Sequence, residues 1–338
     1  MPRVNSARHR RTRSVPDDGY LPELAAAFDN PGAVTMRCFV PEGLPPRAPL
    51  VVVLHGCTQS AAAYDHGSGW TSLAAAHGFA VLFPEQARAN NPNLCFKWFE
   101  AADTRRGGGE AASIANAVAA MMAEYRLDPA RVFVTGLSAG GAMTAVMLAT
   151  YPDVFAGGAI IAGLPFGAAH GVPEAMQAMA NPTAATPRLL GDRVRAASAF
   201  DGPWPIVSVW HGDADRTVNC RNGEAVAEQW ANVHGAAHDD NVWRTPAGVA
   251  VVELVKVEGM GHGTPIDAGR DGSHAAPFML DVGIGSSARI AAFWGLAVAR
   301  SEPVRLRPRA AAHSSAPAAT RDFGRLITET LRSVGLMK

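Results

Sequence analysis

The chain of 338 residues is sparing with cysteine and with charge. Its four cysteines, Cys38, Cys57, Cys95 and Cys220, include no Cys-x-x-Cys pair, which excludes the usual zinc patterns. Thirty basic and thirty acidic residues cancel, so nothing draws the chain to nucleic acid or to acidic surfaces in general. No apolar run reaches the roughly 18 residues of a membrane span, and no internal repeat is present. Arg3, Arg8, Arg10, Arg11 and Arg13 make the start locally basic. They are followed by Asp17, Asp18, Pro22 and Glu23 instead of an apolar stretch, which is not the pattern of a signal peptide. On that pattern the chain is expected in the cytoplasm, with an extracellular or periplasmic site as the alternative if a leader has been removed.

What is present is a large apolar complement, 48% of residues, enough for a sizeable core. Apolar β-rich runs alternate with helical patterns, which predicts βα units around a mostly parallel sheet. Strands are expected at Met36–Val40, Pro49–Leu54, Phe79–Phe83, Arg131–Thr135, Gly158–Ala162, Ile206–Trp210 and Val249–Val257. Pro49–Leu54 is a continuous apolar run, as a strand buried on both faces requires. Helices are expected at Trp70–His77, Glu110–Tyr125, Ala139–Thr150, Glu224–His234 and Ile290–Val298. Pro173–Ser198 reads as an interrupted helical insertion, placed to cap a site. Residues 1–28 are expected to form a disordered basic tail, 29–300 the catalytic domain, and 301–338 a Pro/Ala/Arg-rich linker with a short amphipathic segment.

The chemistry centres on Gly136-Leu137-Ser138-Ala139-Gly140. A predicted strand runs into this pentapeptide and a predicted helix leaves it. That is the context of a nucleophile elbow in an α/β-hydrolase fold, with glycines flanking an exposed serine. A serine hydroxyl is a weak nucleophile until a histidine takes its proton and a carboxylate orients that histidine. In this fold the partners follow in the order acid, then histidine. After the strand ending at Trp210, Asp213 and Asp215 compete. Asp215 is preferred because the chain must turn beyond His211-Gly212 before a carboxylate faces the site, and Asp213 suits a turn residue bonding backbone amides. His262, among glycines after the next strand, is the expected base, with His274 as runner-up. His234 and His238 border a helix and read as surface residues. The oxyanion of ester attack needs aimed amide donors, for which Ala139 and Cys57 are the candidates. His55 reads as loop scaffolding. Gln59, Trp98 and Leu164 are candidate pocket residues, with ordinary core burial the alternative for Trp98. Cys57 and Cys95 each lie near a site loop, and spacing alone fits a bridge or two free thiols.

His55-Gly56-Cys57-Thr58-Gln59, Pro84-Glu85-Gln86, Cys95-Phe96-Lys97-Trp98-Phe99, Gly136 to Gly141, Tyr151-Pro152, Gly163 to Gly167, His211-Gly212-x-x-Asp215 and Gly261-His262-Gly263 together resemble the poly(3-hydroxybutyrate) depolymerase family of esterases. The resemblance runs from about Asp29 to Leu296. It implies a Ser138–Asp215–His262 triad, oxyanion donors at Cys57 and Ala139, and carboxylic ester hydrolysis with neither cofactor nor metal. It also implies a Cys57–Cys95 disulfide, as in secreted relatives, and substrates among small or oligomeric esters. Acetylxylan- and feruloyl-type esterases belong to the same family and stand as the alternative. Two departures favour short-chain or hydroxyacyl esters and polyester oligomers over crystalline polymer: the tail after Ser301 is too short for a polymer-adsorbing domain, and Lys97 stands where relatives often carry an uncharged polar residue. A non-catalytic binding protein on this fold is disfavoured by the complete triad, and a serine peptidase by the resemblance alone.

Overall fold

A computed structural model describes residues 20–297. The first nineteen residues, and the linker and amphipathic segment expected at 301–338, lie outside the described residues. The chain lays down β1 (Thr35–Phe39) and β2 (Leu50–Leu54), then helices α1 (Ala61–Ser68) and α2 (Trp70–His77), then β3 (Ala80–Glu85). A single turn, α3 (Ala101–Thr104), leads to α4 (Gly109–Tyr125), β4 (Val132–Leu137), α5 (Ala139–Thr150) and β5 (Gly157–Ile161). The insertion α6 (Val172–Ala180) and α7 (Pro187–Arg195) comes before β6 (Ile206–Gly212) and α8 (Arg221–His234). A ribbon of β7 (Ala237–Asp239) and β8 (Val242–Arg244) precedes β9 (Ala250–Val257), β10 (Thr264–Ile266), β11 (Met279–Asp281) and α9 (Ser286–Phe293).

Nine strands pair in the order β1-β3-β2-β4-β5-β6-β9-β8-β7 among the described residues. The inner six, β3 to β9, are parallel, while β1 at one edge and the β8–β7 ribbon at the other run antiparallel. β10 and β11 form a separate parallel pair. The parallel strands are buried on both faces, which is why β2 can read Leu-Val-Val-Val-Leu without alternation. Leu50, Val52 and Leu54 face one apolar layer with Ile114 and Val118 of α4, Val146 and Met147 of α5 and Trp230 of α8. Val51 and Val53 face the opposite layer with Tyr64 of α1, Trp70 and Leu73 of α2 and Ile290 of α9. This is the mixed sheet flanked by helices that the sequence predicts.

The insertion rides on α8 and on the loop after β6. The buried Gln229 side chain accepts from the Phe166 amide at 2.9 Å and donates to the Phe166 and Leu190 carbonyls, each at 3.0 Å. The last carbonyls of α6 are taken up by the same region. Asn222 Nδ2 donates to Ala178 O at 3.0 Å, and the Asn219 amide donates to Met179 O at 2.8 Å.

Two expectations need correction. Residues 20–28 are not part of a tail. Leu21 is fully buried, the Leu24 amide donates to Met36 O at 2.7 Å, and the Cys38 amide donates to Pro22 O at 2.9 Å, so the segment extends the sheet edge beside β1. The last helix runs from Ser286 to Phe293, earlier than the expected Ile290–Val298. Ser286 anchors its start by donating to Pro265 O at 2.7 Å.

Candidate active site

Parallel strands in register bring their C-terminal ends to one edge of the sheet. Leu54 pairs with Gly136, Leu137 with Ile161, and Gly212 with Val257. The loops that follow β2, β4, β6 and β9 therefore emerge together, and they carry Cys57, Ser138, Asp215 and His262 respectively. In open α/β sheets this is the edge where ligands bind.

Ser138 forms the turn between β4 and α5. Its φ of 58° and ψ of −116° lie outside the ordinary helical and strand regions. Such a conformation persists only when surrounding contacts over-determine it. Here the Ser138 amide donates to Ile161 O at 2.9 Å, and its carbonyl accepts from Ala142 N at 2.8 Å. Ser138 is half-buried while Leu137 and Ala139 on either side are buried, so the turn offers the serine alone to solvent. Gly140 lets the elbow press against the loop after β2. A Cβ there would sit 2.6 Å from His55 O and closer still to Leu54 O. Ala139 is the first residue of the 12-residue α5, so its amide belongs to the electropositive helix end.

Asp215 and His262 meet directly, with His262 Nδ1 2.6 Å from Asp215 Oδ2. Gly212 allows their loops to close on each other. A Cβ at Gly212 would lie 2.7 Å from Gly261 O and nearer still to Met260 O. The Asp215 side chain is fully buried. Its Oδ1 accepts from the Thr217 amide at 2.8 Å and the Val218 amide at 2.9 Å, and its Oδ2 also faces His211 Nε2 at 3.3 Å. Burial pushes this carboxyl up, but the hydrogen bonds from His211, His262 and Val218 outweigh it and hold the group well below the usual carboxylate range. Asp213 does not bond its own turn as expected but bridges to the next loop, accepting from the Gly259 amide at 2.7 Å.

The loop after β2 is fastened on several sides. Cys57 and Cys95 form a disulfide, and the Thr58 amide donates to Asn93 O at 2.7 Å. His55 is buried, with Nδ1 2.7 Å from Gly56 O and Nε2 accepting from the Gln86 amide at 3.0 Å. Both ring nitrogens are thereby engaged with backbone, and burial pushes the imidazole below its ordinary range. That is the scaffolding role expected of His55. The Gln59 Oε1 accepts from the Gly56 amide at 2.9 Å and its Nε2 donates to Pro277 O at 3.4 Å, so the side chain ties two loops together. Leu164 and Trp98 are both buried in the same apolar layer, Trp98 edge-on to Phe99 at 5.3 Å.

His274 is engaged with His66, while His262 pairs with Asp215. The His274 ring stacks on His66 at 4.4 Å, and its Nδ1 lies 3.1 Å from His66 O. His234 is half-buried, with Nε2 2.9 Å from Pro205 O, while His238 is exposed. His262 has the Phe278 ring edge-on at 6.3 Å.

Sequence reasoning missed the polar groups beneath these loops. Glu110 of α4 is fully buried, accepting from Gln86 Nε2 at 2.6 Å and from the Lys97 amide at 2.8 Å. The Lys97 ammonium stands 2.8 Å from Asp103 and 3.8 Å from Glu110. Burial pushes Glu110 up to about 7 against the lowering effect of those donors. The available signal was an acidic residue in the first turn of a helix, which is also where a solvated carboxylate is ordinarily found.

Residues 35–252 match the family model described as Esterase PHB depolymerase. The chain is 45% identical over 291 residues to poly(3-hydroxyalkanoate) depolymerase C of Paucimonas lemoignei, covering 82% of this chain and 70% of that protein. It is 33% identical over 282 residues to a probable acetylxylan esterase A of Aspergillus clavatus, covering 78% and 90% of the two chains. The structure of an acetyl xylan esterase from Aspergillus awamori superposes with a TM-score of 0.68 at 26% identity, covering 82% of this chain and 99% of that one. By sequence and by fold, this chain belongs to the esterase PHB depolymerase family, carboxylic ester hydrolases built on the α/β-hydrolase fold.

Proposed function

We propose that this enzyme cleaves carboxylic esters through an acyl-enzyme on Ser138. The observation that carries the reading is the 2.6 Å bond between Asp215 and His262 at the sheet edge where the strained, half-buried Ser138 elbow also lies. His262 Nε2 removes the Ser138 hydroxyl proton as Oγ attacks the ester carbonyl. The resulting oxyanion is met by the amides of Cys57 and Ala139. His262 returns the proton to the departing alcohol, and the alcohol leaves. Water then repeats the sequence on the acyl-enzyme, releasing the acid and restoring Ser138. Asp215 fixes the His262 tautomer and stabilises the imidazolium that forms in each half-reaction.

Short-chain and hydroxyacyl esters, including soluble polyester oligomers, are the proposed substrates. Support comes from the higher identity to the hydroxyalkanoate depolymerase than to the acetylxylan esterase. The acetylxylan-type reading is kept because a protein of that name matches the fold over nearly its whole length. The Cys57–Cys95 disulfide supports an extracellular or periplasmic site over the cytoplasm, where thiols are kept reduced.

The test is hydrolysis of p-nitrophenyl butyrate by the full chain, together with labelling by an organophosphate. Label on Ser138, and loss of kcat by roughly 10⁴-fold or more in Ser138→Ala, are expected. Full activity in that variant rejects the reading. Parallel assays on hydroxybutyrate oligomers and acetylated xylan oligomers separate the two substrate classes.

A further inference from the structure

His211 lies four residues before Asp215, in β6 itself, and takes no part in the steps above. Its side chain is 1% exposed. Its Nε2 lies 3.0 Å from Val218 O and 3.3 Å from Asp215 Oδ2. A carbonyl and a carboxylate can only accept, so Nε2 must carry a proton and share it between them. Its Nδ1 is buried with no hydrogen-bond partner, on the side packed against Gly223, where an added Cβ would come within 3.0 Å. A proton placed on Nδ1 would be buried without an acceptor, an arrangement that is costly to maintain. The ring is therefore held as the Nε2–H tautomer and aimed at the oxygen that His262 also uses.

Four donors thus converge on the Asp215 carboxylate, and they differ in what they are attached to. The Thr217 and Val218 amides belong to the same loop as Asp215 and move with it. His262 sits on a neighbouring loop and is itself the group that must be aimed. His211 alone is part of a sheet strand hydrogen-bonded on both sides, by β5 and by β9. The hydrogen bonds from His211 and His262 both hold the Asp215 carboxyl below its usual range against the effect of burial. Its second acceptor, Val218 O, lies on the far side of the same turn, so one ring ties both ends of the acid loop to the sheet.

We propose that His211 is a positioning residue for this reaction, a strand-anchored donor that fixes the Asp215 carboxylate in line with His262. The proposal rests on Asp215 being the triad acid.

The experiment compares His211→Phe, which keeps a buried ring without the donor, with His211→Gln, whose amide nitrogen can replace Nε2–H. Both are assayed with p-nitrophenyl butyrate, with rates referred to active sites titrated by an organophosphate, beside Ser138→Ala and Asp215→Ala. His211→Phe is expected to lower kcat by about 10- to 100-fold with KM changed less than about threefold, and His211→Gln to restore most of the loss. The rate of phosphorylation by the organophosphate should fall in parallel with kcat. A merely structural role would lower the thermal midpoint and the number of titratable sites while leaving the rate per site unchanged, and that result overturns the proposal. Equal impairment by Gln and Phe overturns it as well. Should His211→Phe not fold, nitrogen-15 NMR of the wild-type imidazoles decides the matter: a proton on His211 Nε2 supports the proposal, and one on Nδ1 overturns it. If Asp215→Ala and Ser138→Ala keep full activity, the triad reading itself fails. If those two are inactive while His211→Phe has wild-type kcat, only the positioning role fails.

Discussion

His262 Nδ1 and Asp215 Oδ2 approach to 2.6 Å across the loops that leave two adjacent parallel strands. The carboxylate is buried and receives further donors, so it is ionised and fixed before any substrate arrives. Replacing it by an amide keeps the shape but lets an N–H face His262 Nδ1, which selects the wrong tautomer. Asp215→Asn is expected to lower kcat on the order of 10⁴-fold with a small change in KM. Steady-state hydrolysis of p-nitrophenyl butyrate reads this directly, and a kcat near wild type would remove Asp215 from the mechanism.

The disulfide gives a second prediction. Cys57 and Cys95 close a loop of 38 residues of sequence separation. On chain-entropy grounds the bridge stabilises the fold by about 4 kcal/mol. The double variant Cys57→Ser, Cys95→Ser should lose stability of that order in urea unfolding, and reductant should affect the wild type but not the variant. The variant should also lose activity at temperatures where it stays folded, because residue 57 supplies a proposed oxyanion amide.

Gly140 offers a test of the packing between the elbow and the loop after β2. An added methyl group would press on the carbonyls of Leu54 and His55, which are backbone atoms and have little room to yield. Gly140→Ala is expected to move Ser138 relative to residue 57. Losing one oxyanion donor costs about 100- to 1000-fold in kcat, so a loss approaching that range is expected. Ala at Gly235, where nothing lies near an added Cβ but the backbone is left-handed with φ of +59°, serves as a control that should lose some stability and keep wild-type kcat.

Glu110 predicts a pH dependence of stability. Its carboxyl is raised from an ordinary 4.5 to about 7 by burial, so the folded state holds the proton more tightly than the unfolded chain. The resulting stability is fully present below about pH 4.5 and is lost as pH rises through 7, a change of about 3 kcal/mol. Asp65 is buried and shifted in the same direction, so the comparison must be differential. The gap in unfolding free energy between wild type and Glu110→Gln should narrow or reverse by about that amount between pH 5 and pH 8. A constant gap would contradict the buried carboxyl.

Most of the sheet was legible in the sequence because each parallel strand is a short apolar block set between helices. Ser138 was legible because its pentapeptide needs a particular strand-to-helix context, and that context could be read. The pairing of Asp215 with His262 was legible from chain order, which puts a candidate acid and then a candidate histidine after the serine. The short pieces were not legible. β10 and β11 have three residues each and exist because they pair with one another. α1 contains Asp65, His66 and Gly67, and its start is set by Ser60, whose hydroxyl accepts from the Ala63 amide at 3.2 Å. Gln59 reads as a pocket candidate because it is a polar residue in a site loop, which says nothing of its bonds. Its two backbone bonds, one to a residue more than two hundred positions away, depend on tertiary packing that no local pattern encodes. His211 was visible only as part of a motif, and its contact with Asp215 depends on how the turn after it folds back.

The insertion between β5 and β6 bears on how this scaffold can be re-engineered. Asn219 and Asn222, which hold the end of α6, stand within seven residues of Asp215, and Gln229 holds α7 from the following helix. Grafting a foreign segment in place of residues 172–195 would therefore cut bonds that steady the acid loop. Chimaeras that carry residues 213–232 along with the insertion should retain turnover more often than those that exchange the insertion alone. The transplantable unit is the helical pair together with its footing.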